Sequence, residues 1–272
     1  MNIKFNKIID FVKKYILFIV IVIVFFICFG YKKTYIQENM ENEAPKIYIT
    51  LTTIPERLSH EWFYNNLKNL INLNGDYTVL LNIPYKWKKT GAKYIIPDNI
   101  KQLEDGDNLI INRVDEDYGP ITKLLGAILN DKIHDNSCLL ICDDDIKYKD
   151  NFVVNLYNEY KKDDTKIYTS CYDTIEGYKG FMVKKSIIKP ILNYNRPESC
   201  FRIDDDYINE IVRNKLNIEI IAVPYGDANE WSCSFDINVH DNETPNWEAL
   251  KTDNRSIMVD KCIEDIIIPN HP

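Results

Sequence analysis

Two aspartate trios are the residues best suited to chemistry in this chain: Asp143-Asp144-Asp145, inside Leu139–Tyr148 (LLICDDDIKY), and Asp204-Asp205-Asp206, just ahead of YINEIV. An unpaired carboxylate is very costly to bury, so the first trio must emerge where its apolar strand, Ser137–Cys142, reaches solvent. In α/β sheets that C-terminal strand end is where ligands sit. Three adjacent like charges repel, and a hard cation relieves the repulsion. On an extended chain Asp143 and Asp145 point to one side and Asp144 to the other, which makes the first and third the natural metal pair. Mg²⁺ or Mn²⁺ held by one or two carboxylates keeps positions open for phosphate oxygens. The bland alternative is a solvated acidic turn capping the next segment. The second trio also suits a helix start, where Asp205 caps and the dipole favours acids, although this explains one aspartate better than three.

The elements that must position these groups alternate along the chain. Lys46–Thr52, Tyr77–Ile83, Asn108–Val114, Ser137–Cys142, Lys166–Cys171 and Ile218–Tyr225 read as strands. Between them lie helical stretches: one with Trp62, Leu67, Leu70 and Ile71 on its apolar positions, then Ile121–Asn130, Phe152–Lys161 and a segment near Asp205–Asn214. Strands apolar on both faces and separated by helix-length segments predict a mostly parallel central sheet covered by helices, in a single α/β domain of the Rossmann-like kind. The last forty residues, beyond Asp227, have no strong period and are expected to wrap the sheet or cover the site.

Composition narrows the partners. Six of the 33 Lys and Arg and one of the 41 Asp and Glu fall in the first 33 positions, which leaves 27 against 40 and a net of −13 for Thr34–Pro272. A phosphate backbone needs a basic stripe, so nucleic acid is excluded as a partner. Tyr15–Tyr31 is almost entirely apolar and would reach roughly 25 Å as a helix, enough to just cross a thin membrane. Lys pairs flank it, with further Lys before and acids after, which favours a cytoplasmic N-terminus. The expected organisation is a cytoplasmic tail over 1–14, a signal anchor over 15–31, a stem over 32–45 and a body over 46–272; a cleaved signal peptide is the rival. Six Cys in the body permit lumenal disulfides in fifteen pairings, none of which the spacing selects. The Asn242 and Asn254 sequons fit a translocated glycoprotein.

Three ordered blocks, ITLTTIPERL (Ile49–Leu58), DYGPITKLLGAI (Asp117–Ile128) and CDDDIKY (Cys142–Tyr148), resemble a poorly characterised glycosyltransferase-like group within the nucleotide-diphospho-sugar transferases of the GT-A fold. The resemblance covers about Lys46–Tyr225. It implies a GT-A-like domain, a nucleotide-sugar donor, a divalent cation (Mn²⁺ or Mg²⁺) on the donor diphosphate, and a glycan or protein hydroxyl as acceptor. With the anchor, it implies a single-pass type II protein of the Golgi or ER membrane whose catalytic domain is lumenal.

By the same resemblance, Thr52, Thr53, Pro55 and Arg57 follow the first strand, where the nucleoside is cradled and Arg57 can neutralise phosphate. Lys123, near a helix start opened by Gly119-Pro120, is expected to face the diphosphate, Asp144 to join the donor site with Asp143 and Asp145 on the metal, and Asp115 or Asp117 to meet ribose or base. In inverting members of the fold a carboxylate at the position of Asp205 or Asp206 is the general base, which must lie within hydrogen-bond reach of the acceptor hydroxyl; inversion against retention stays open. Gly180 would let backbone approach a sugar and Tyr178 would stack on it, while His240 would be a third metal ligand. Asn82-Ile-Pro84 stands where better-known families carry acids, which leaves UDP against GDP open. Two other classes remain at this point: a catalytically inactive membrane-tethered carbohydrate- or Ca²⁺-binding module, and a nucleotidyltransferase, which the lack of a glycine-rich triphosphate loop disfavours.

Overall fold

The computed structural model describes residues 20–27, 44–104, 106, 108–225, 235–238 and 255–267. The chain divides into two units, Met1–Pro45 and Lys46–Pro272. In the first, residues 20–27 are helical. Among the described residues no helix is long and apolar enough to cross a membrane; most of the run Tyr15–Tyr31 lies outside them.

The second unit is built on a seven-stranded sheet. Its strands are β1 (Ile47–Thr52), β2 (Thr78–Pro84), β3 (Leu109–Val114), β4 (Cys138–Ile141), β6 (Ile167–Ser170), β7 (Phe181–Lys184) and β8 (Ile220–Val223), in the order β3-β2-β1-β4-β7-β6-β8. A separate pair joins β5 (Ile146–Tyr148) to β9 (Phe235–Asn238). Strands β3, β2, β1 and β4 are parallel, as are β6 and β8. Strand β7 runs antiparallel between β4 and β6. The expected mostly parallel α/β sheet is therefore present, and the reversed strand is the feature that apolar patterning could not supply.

Residue alternation builds two cores at once. Ile49, Leu51, Val79, Leu81 and Leu140 pack on one face with Phe63, Leu67 and Leu70 of helix α1 (Glu61–Ile71). Tyr48, Leu80, Leu139, Ile141, Phe181 and Val183 pack on the other. There they meet helix α3 (Thr122–Ile128), which follows α2 (Asp98–Glu104) in the chain, and α5 (Asp204–Glu210), which follows α4 (Phe152–Tyr160). Strands apolar on both faces are what two helical layers require. Helices α2 and α6 (Arg255–Ile267) escape the sequence reading, α2 because Ile100 is its only buried residue and α6 because Cys262 is its only one. Cys262 is bonded to Cys200, so a disulfide anchors α6, and Cys171 is also disulfide-bonded. Cys138 and Cys142 are buried free thiols on and just after β4.

This topology concentrates chemistry at one edge. The C-terminal ends of β1 and β4, the start of α3 after β3, and the loop that enters the reversed β7 all open there.

Candidate active site

A cavity of about 2140 Å³ lies at that edge, lined by Thr52, Thr53, Arg57, Lys123, Asp143, Asp144, Asp145, Tyr178, Asp204 and Asp205, among others. Both aspartate trios reach it, and a single ammonium joins them. Lys123 Nζ lies 2.7 Å from Asp143 Oδ1, 2.8 Å from Asp204 Oδ2 and 3.7 Å from Asp205 Oδ1. Helix α3 delivers it: six of the helix's seven residues are buried, Gly126 packs against Asn82, and the Lys123 carbonyl accepts from Thr50 Oγ1. Burial alone would discharge Lys123; Asp143, Asp204 and Asp205 outweigh it and raise its pKa well above 10.5. Lys123, expected to face the diphosphate, lines the cavity with its side chain 4% exposed and its ammonium paired to carboxylates of both acid clusters.

The first trio does not keep strand alternation. The chain leaves β4 and turns at Asp144-Asp145, so these two, instead of Asp143 and Asp145, share one cation: Arg57 Nη1 is 2.5 Å from Asp144 and Nη2 is 3.2 Å from Asp145. Burial opposes the charge on Arg57, and Asp144, Asp145 and Asp143 together raise its pKa. Arg57 follows a turn closed by its own N–H bonding Ile54 O, with Pro55 at the second position that its ring favours. Pro55 shapes this turn and is not among the cavity-lining residues. Thr52 donates to Asn82 O, whereas the buried Thr53 hydroxyl has no hydrogen-bond partner and faces the same cavity.

The second trio is split by the first turn of α5. Asp204 and Asp205 line the large cavity, and Asp205 Oδ1 accepts from the Gly177 amide at 3.0 Å. Burial, then repulsion from Asp204, lifts the Asp205 pKa well above its usual value against the pull of Lys123. Burial also raises Asp143, with Lys123 opposing. Asp206 faces away, lining a smaller cleft of about 630 Å³ and pairing with Arg255 at 3.1 Å. Of the two base candidates, the geometry retains Asp205.

Other expected residues take structural positions. Both Asp117 oxygens are held by backbone amides, Lys88 N–H at 2.7 Å and Gly119 N–H at 2.8 Å, so Asp117 braces two loops at the cavity rim. Gly180 is buried at φ +74°, with the Phe152 ring in the space a β-carbon would need; it starts β7 and does not line the cavity. Tyr178 lines both the cavity and the smaller cleft. His240 lies outside the described residues.

Gly177, with Gly180 in the segment whose glycines were expected to let backbone approach a sugar, instead links the two trios, and three contributors, Trp87, Tyr94 and Asn66, were missed in the sequence. Gly177 accepts from Asp143 N–H at 3.1 Å while donating to Asp205, and a β-carbon there would collide with Asp143 Oδ1 and Lys123 Nζ. Trp87 and Tyr94 add aromatic walls. Asn66, a polar residue on the apolar stripe of α1, bonds the carbonyls of the acid turn; its place in that stripe is a signal that was available.

The donor set suits a divalent cation. Asp143, Asp144, Asp145, Asp204 and Asp205 outnumber Arg57 and Lys123, every donor is a hard oxygen, and the buried Asp144 Oδ2 has no hydrogen-bond partner. Among the described residues no three His, Cys, Asp or Glu side chains form a ready-made metal cluster, so a divalent cation held here would draw further ligands from phosphate oxygens and water, as Mg²⁺ usually does.

No family model matches the chain, and no curated protein matches it. Among solved structures it is similar to the mannosyltransferase PcManGT from Pyrobaculum calidifontis, in complex with GDP-Man and Mn²⁺, at 13% identity and a TM-score of 0.51 over 82% of this chain. The chain spans 66% of that protein. It is also similar to the 2-C-methyl-D-erythritol 4-phosphate cytidylyltransferase of Francisella tularensis, at 11% identity and a TM-score of 0.41, over 78% of this chain and 99% of that one. At 13% identity the likeness to the mannosyltransferase is one of architecture: the chain has a nucleotide-sugar-transferase-like fold.

Proposed function

We propose that this chain is a metal-dependent glycosyltransferase that moves a sugar from a nucleoside-diphosphate donor to a hydroxyl of a glycan or protein. The observation that carries the reading is the meeting of Asp143 from the first trio with Asp204 and Asp205 from the second around Lys123, in one cavity at the C-terminal strand ends. Trp87 and Tyr94 offer flat walls to a nucleobase, and Thr53 Oγ1 and Asp144 Oδ2 are polar atoms in want of a ligand's partner groups. Asp143, Asp144 and Asp145 would hold Mn²⁺ or Mg²⁺, which when bound supplies Lewis-acid stabilisation to the departing diphosphate. Arg57 orients Asp144 and Asp145, and Lys123 keeps the acids of the two trios together.

In the transfer, Asp205 takes the proton from the acceptor hydroxyl, the new C–O bond forms at the anomeric carbon, and the bond from that carbon to the diphosphate oxygen breaks. Asp205 and Tyr178 line both the cavity and the smaller cleft, so an acceptor entering by the cleft would find the base and an aromatic face together. We further propose that the apolar run over 15–31 anchors the chain as a type II protein of the Golgi or ER membrane with the body in the lumen. The Cys200–Cys262 disulfide is in keeping with an oxidising compartment.

Screening UDP- and GDP-sugars against the full chain in detergent tests the reading. Mn²⁺-dependent release of nucleoside diphosphate from at least one donor, abolished by chelation, is the expected result. Thermal stabilisation by Ca²⁺ or Mn²⁺ alone, with no donor turned over and no added effect of nucleotide, would instead favour a binding module.

A further inference from the structure

The acid turn Asp143–Asp145 has a backbone problem. It leaves β4 before β5 begins, so the Asp144 carbonyl lies outside both ladders, while Ile146 opens β5 opposite Asn238 of β9; both residues are buried. Buried carbonyls require donors. One side chain meets this need: Asn66 Nδ2 donates to Asp144 O at 2.9 Å and to Ile146 O at 3.0 Å. Asn66 is 4% exposed and occupies the α1 stripe with Phe63, Leu67 and Leu70, positions that packing alone would fill with apolar residues. Four residues before α1 begins, Arg57 grips the same turn through the Asp144 and Asp145 carboxylates. The segment after β1 therefore brackets the turn twice, by its side chains through Arg57 and by its backbone through Asn66.

We infer that Asn66 is a positioning residue of the proposed transferase: without touching substrate, it fixes the backbone of the acid turn and hence the distance and direction of the metal-binding carboxylates. The inference rests on the reading of Asp143–Asp145 as cation ligands. A leucine at this position has similar volume and suits the stripe, but provides no donor for either carbonyl. The turn would then reorient toward water, and the carboxylates would move with it while the nucleoside walls stayed in place. An aspartate there would set a like charge beside Asp144 and displace the turn further.

The test uses the full chain and two variants, Asn66→Leu and Asn66→Asp, beside a core variant in α2, Ile100→Ala, as a reference for general loss of stability. Mn²⁺ affinity is read by electron paramagnetic resonance with saturating nucleoside diphosphate present, and donor kcat and KM are read at saturating Mn²⁺. Asn66→Leu should weaken Mn²⁺ binding at least fivefold and lower kcat at least tenfold with donor KM held within threefold; Asn66→Asp should bind Mn²⁺ more weakly still; Ile100→Ala should retain wild-type Mn²⁺ affinity. Mn²⁺ affinity in Asn66→Leu equal to that of Ile100→Ala overturns the inference and leaves the proposed function standing. A wild type that binds Mn²⁺ but turns over no nucleotide sugar overturns the function, and the Mn²⁺ affinities still decide the role of Asn66. A wild type that binds no Mn²⁺ overturns both.

Discussion

Replacing Lys123 by methionine keeps most of the unbranched apolar stem and removes the terminal ammonium, its charge and its hydrogen-bond donors together, which isolates what that group does. In the native site it lies 2.7 Å from Asp143 and 2.8 Å from Asp204, at 4% exposure. Removing one partner of a buried ion pair costs about 3–5 kcal/mol, because the remaining charges are left without compensation. Three carboxylates share this counter-ion, so the upper half of that range applies unless water enters from the cavity. For a domain of this size each kcal/mol moves Tm by about 2–4 °C, so Lys123→Met should melt roughly 8–20 °C lower at neutral pH. The deficit must also depend on pH. Asp143 and Asp205 have folded pKa values raised above 3.8, so the stability they contribute is fully present below 3.8 and is lost as pH rises through their folded values. Lys123, raised above 10.5, contributes stability that persists through neutrality and disappears only as pH climbs past its folded value. Without it the acids ionise at greater cost, so the gap between variant and wild type should widen from pH 5 to pH 8. Thermal melts across that range decide the matter; a deficit under about 1 kcal/mol, or one indifferent to pH, refutes the assigned role of Lys123.

Three further outcomes follow from the geometry. Asp205→Asn should lower transfer by about 10²–10⁴-fold while nucleotide binding survives, whereas Asp206→Asn, whose partner is Arg255 on the other cleft, should stay within a few-fold of wild type in the same kinetic assay. Because the Asp205 carboxyl titrates well above its usual range and must be ionised to act as base, the acid limb of kcat/KM should lie above pH 4 in the wild type and vanish in Asp205→Asn. Cutting the Cys200–Cys262 bridge by Cys262→Ser frees a loop with a sequence separation of 62 and, by loop-closure entropy, should cost up to about 4 kcal/mol in denaturant unfolding; no change in midpoint would mean that α6 is held by its other contacts.

Much of the fold was legible because it rests on local pattern. Strand β4 is apolar throughout and β1 and β2 carry apolar residues on both faces, which is the mark of strands covered on both sides, and α1 repeats its apolar residues at helical spacing. Helix α6 was invisible for the opposite reason: Cys262 is its one buried residue, and its attachments are long-range, a disulfide to a residue 62 positions away and ion-pair and hydrogen-bond contacts to Asp206 and Ser199. The reversal of β7 was equally hidden, since an apolar tetrapeptide reads the same in either direction.

The same division runs through the site. Composition and spacing by themselves determined that two acid trios follow or precede defined elements, that acids outnumber bases in the body, and that the first trio must end an inner strand, because burying bare carboxylates is prohibitive. Which acid faces which cation was decided only in three dimensions. Alternation along an extended strand paired Asp143 with Asp145, but the chain turns there, so Arg57 claims Asp144 and Asp145 while Asp143 joins Asp204 at Lys123. Those partners lie from 20 residues apart in sequence, for Lys123 and Asp143, to 88, for Arg57 and Asp145. Electrostatic pairing depends on distances of a few ångströms that only the packing of α3, α5 and the β4 end against one another creates.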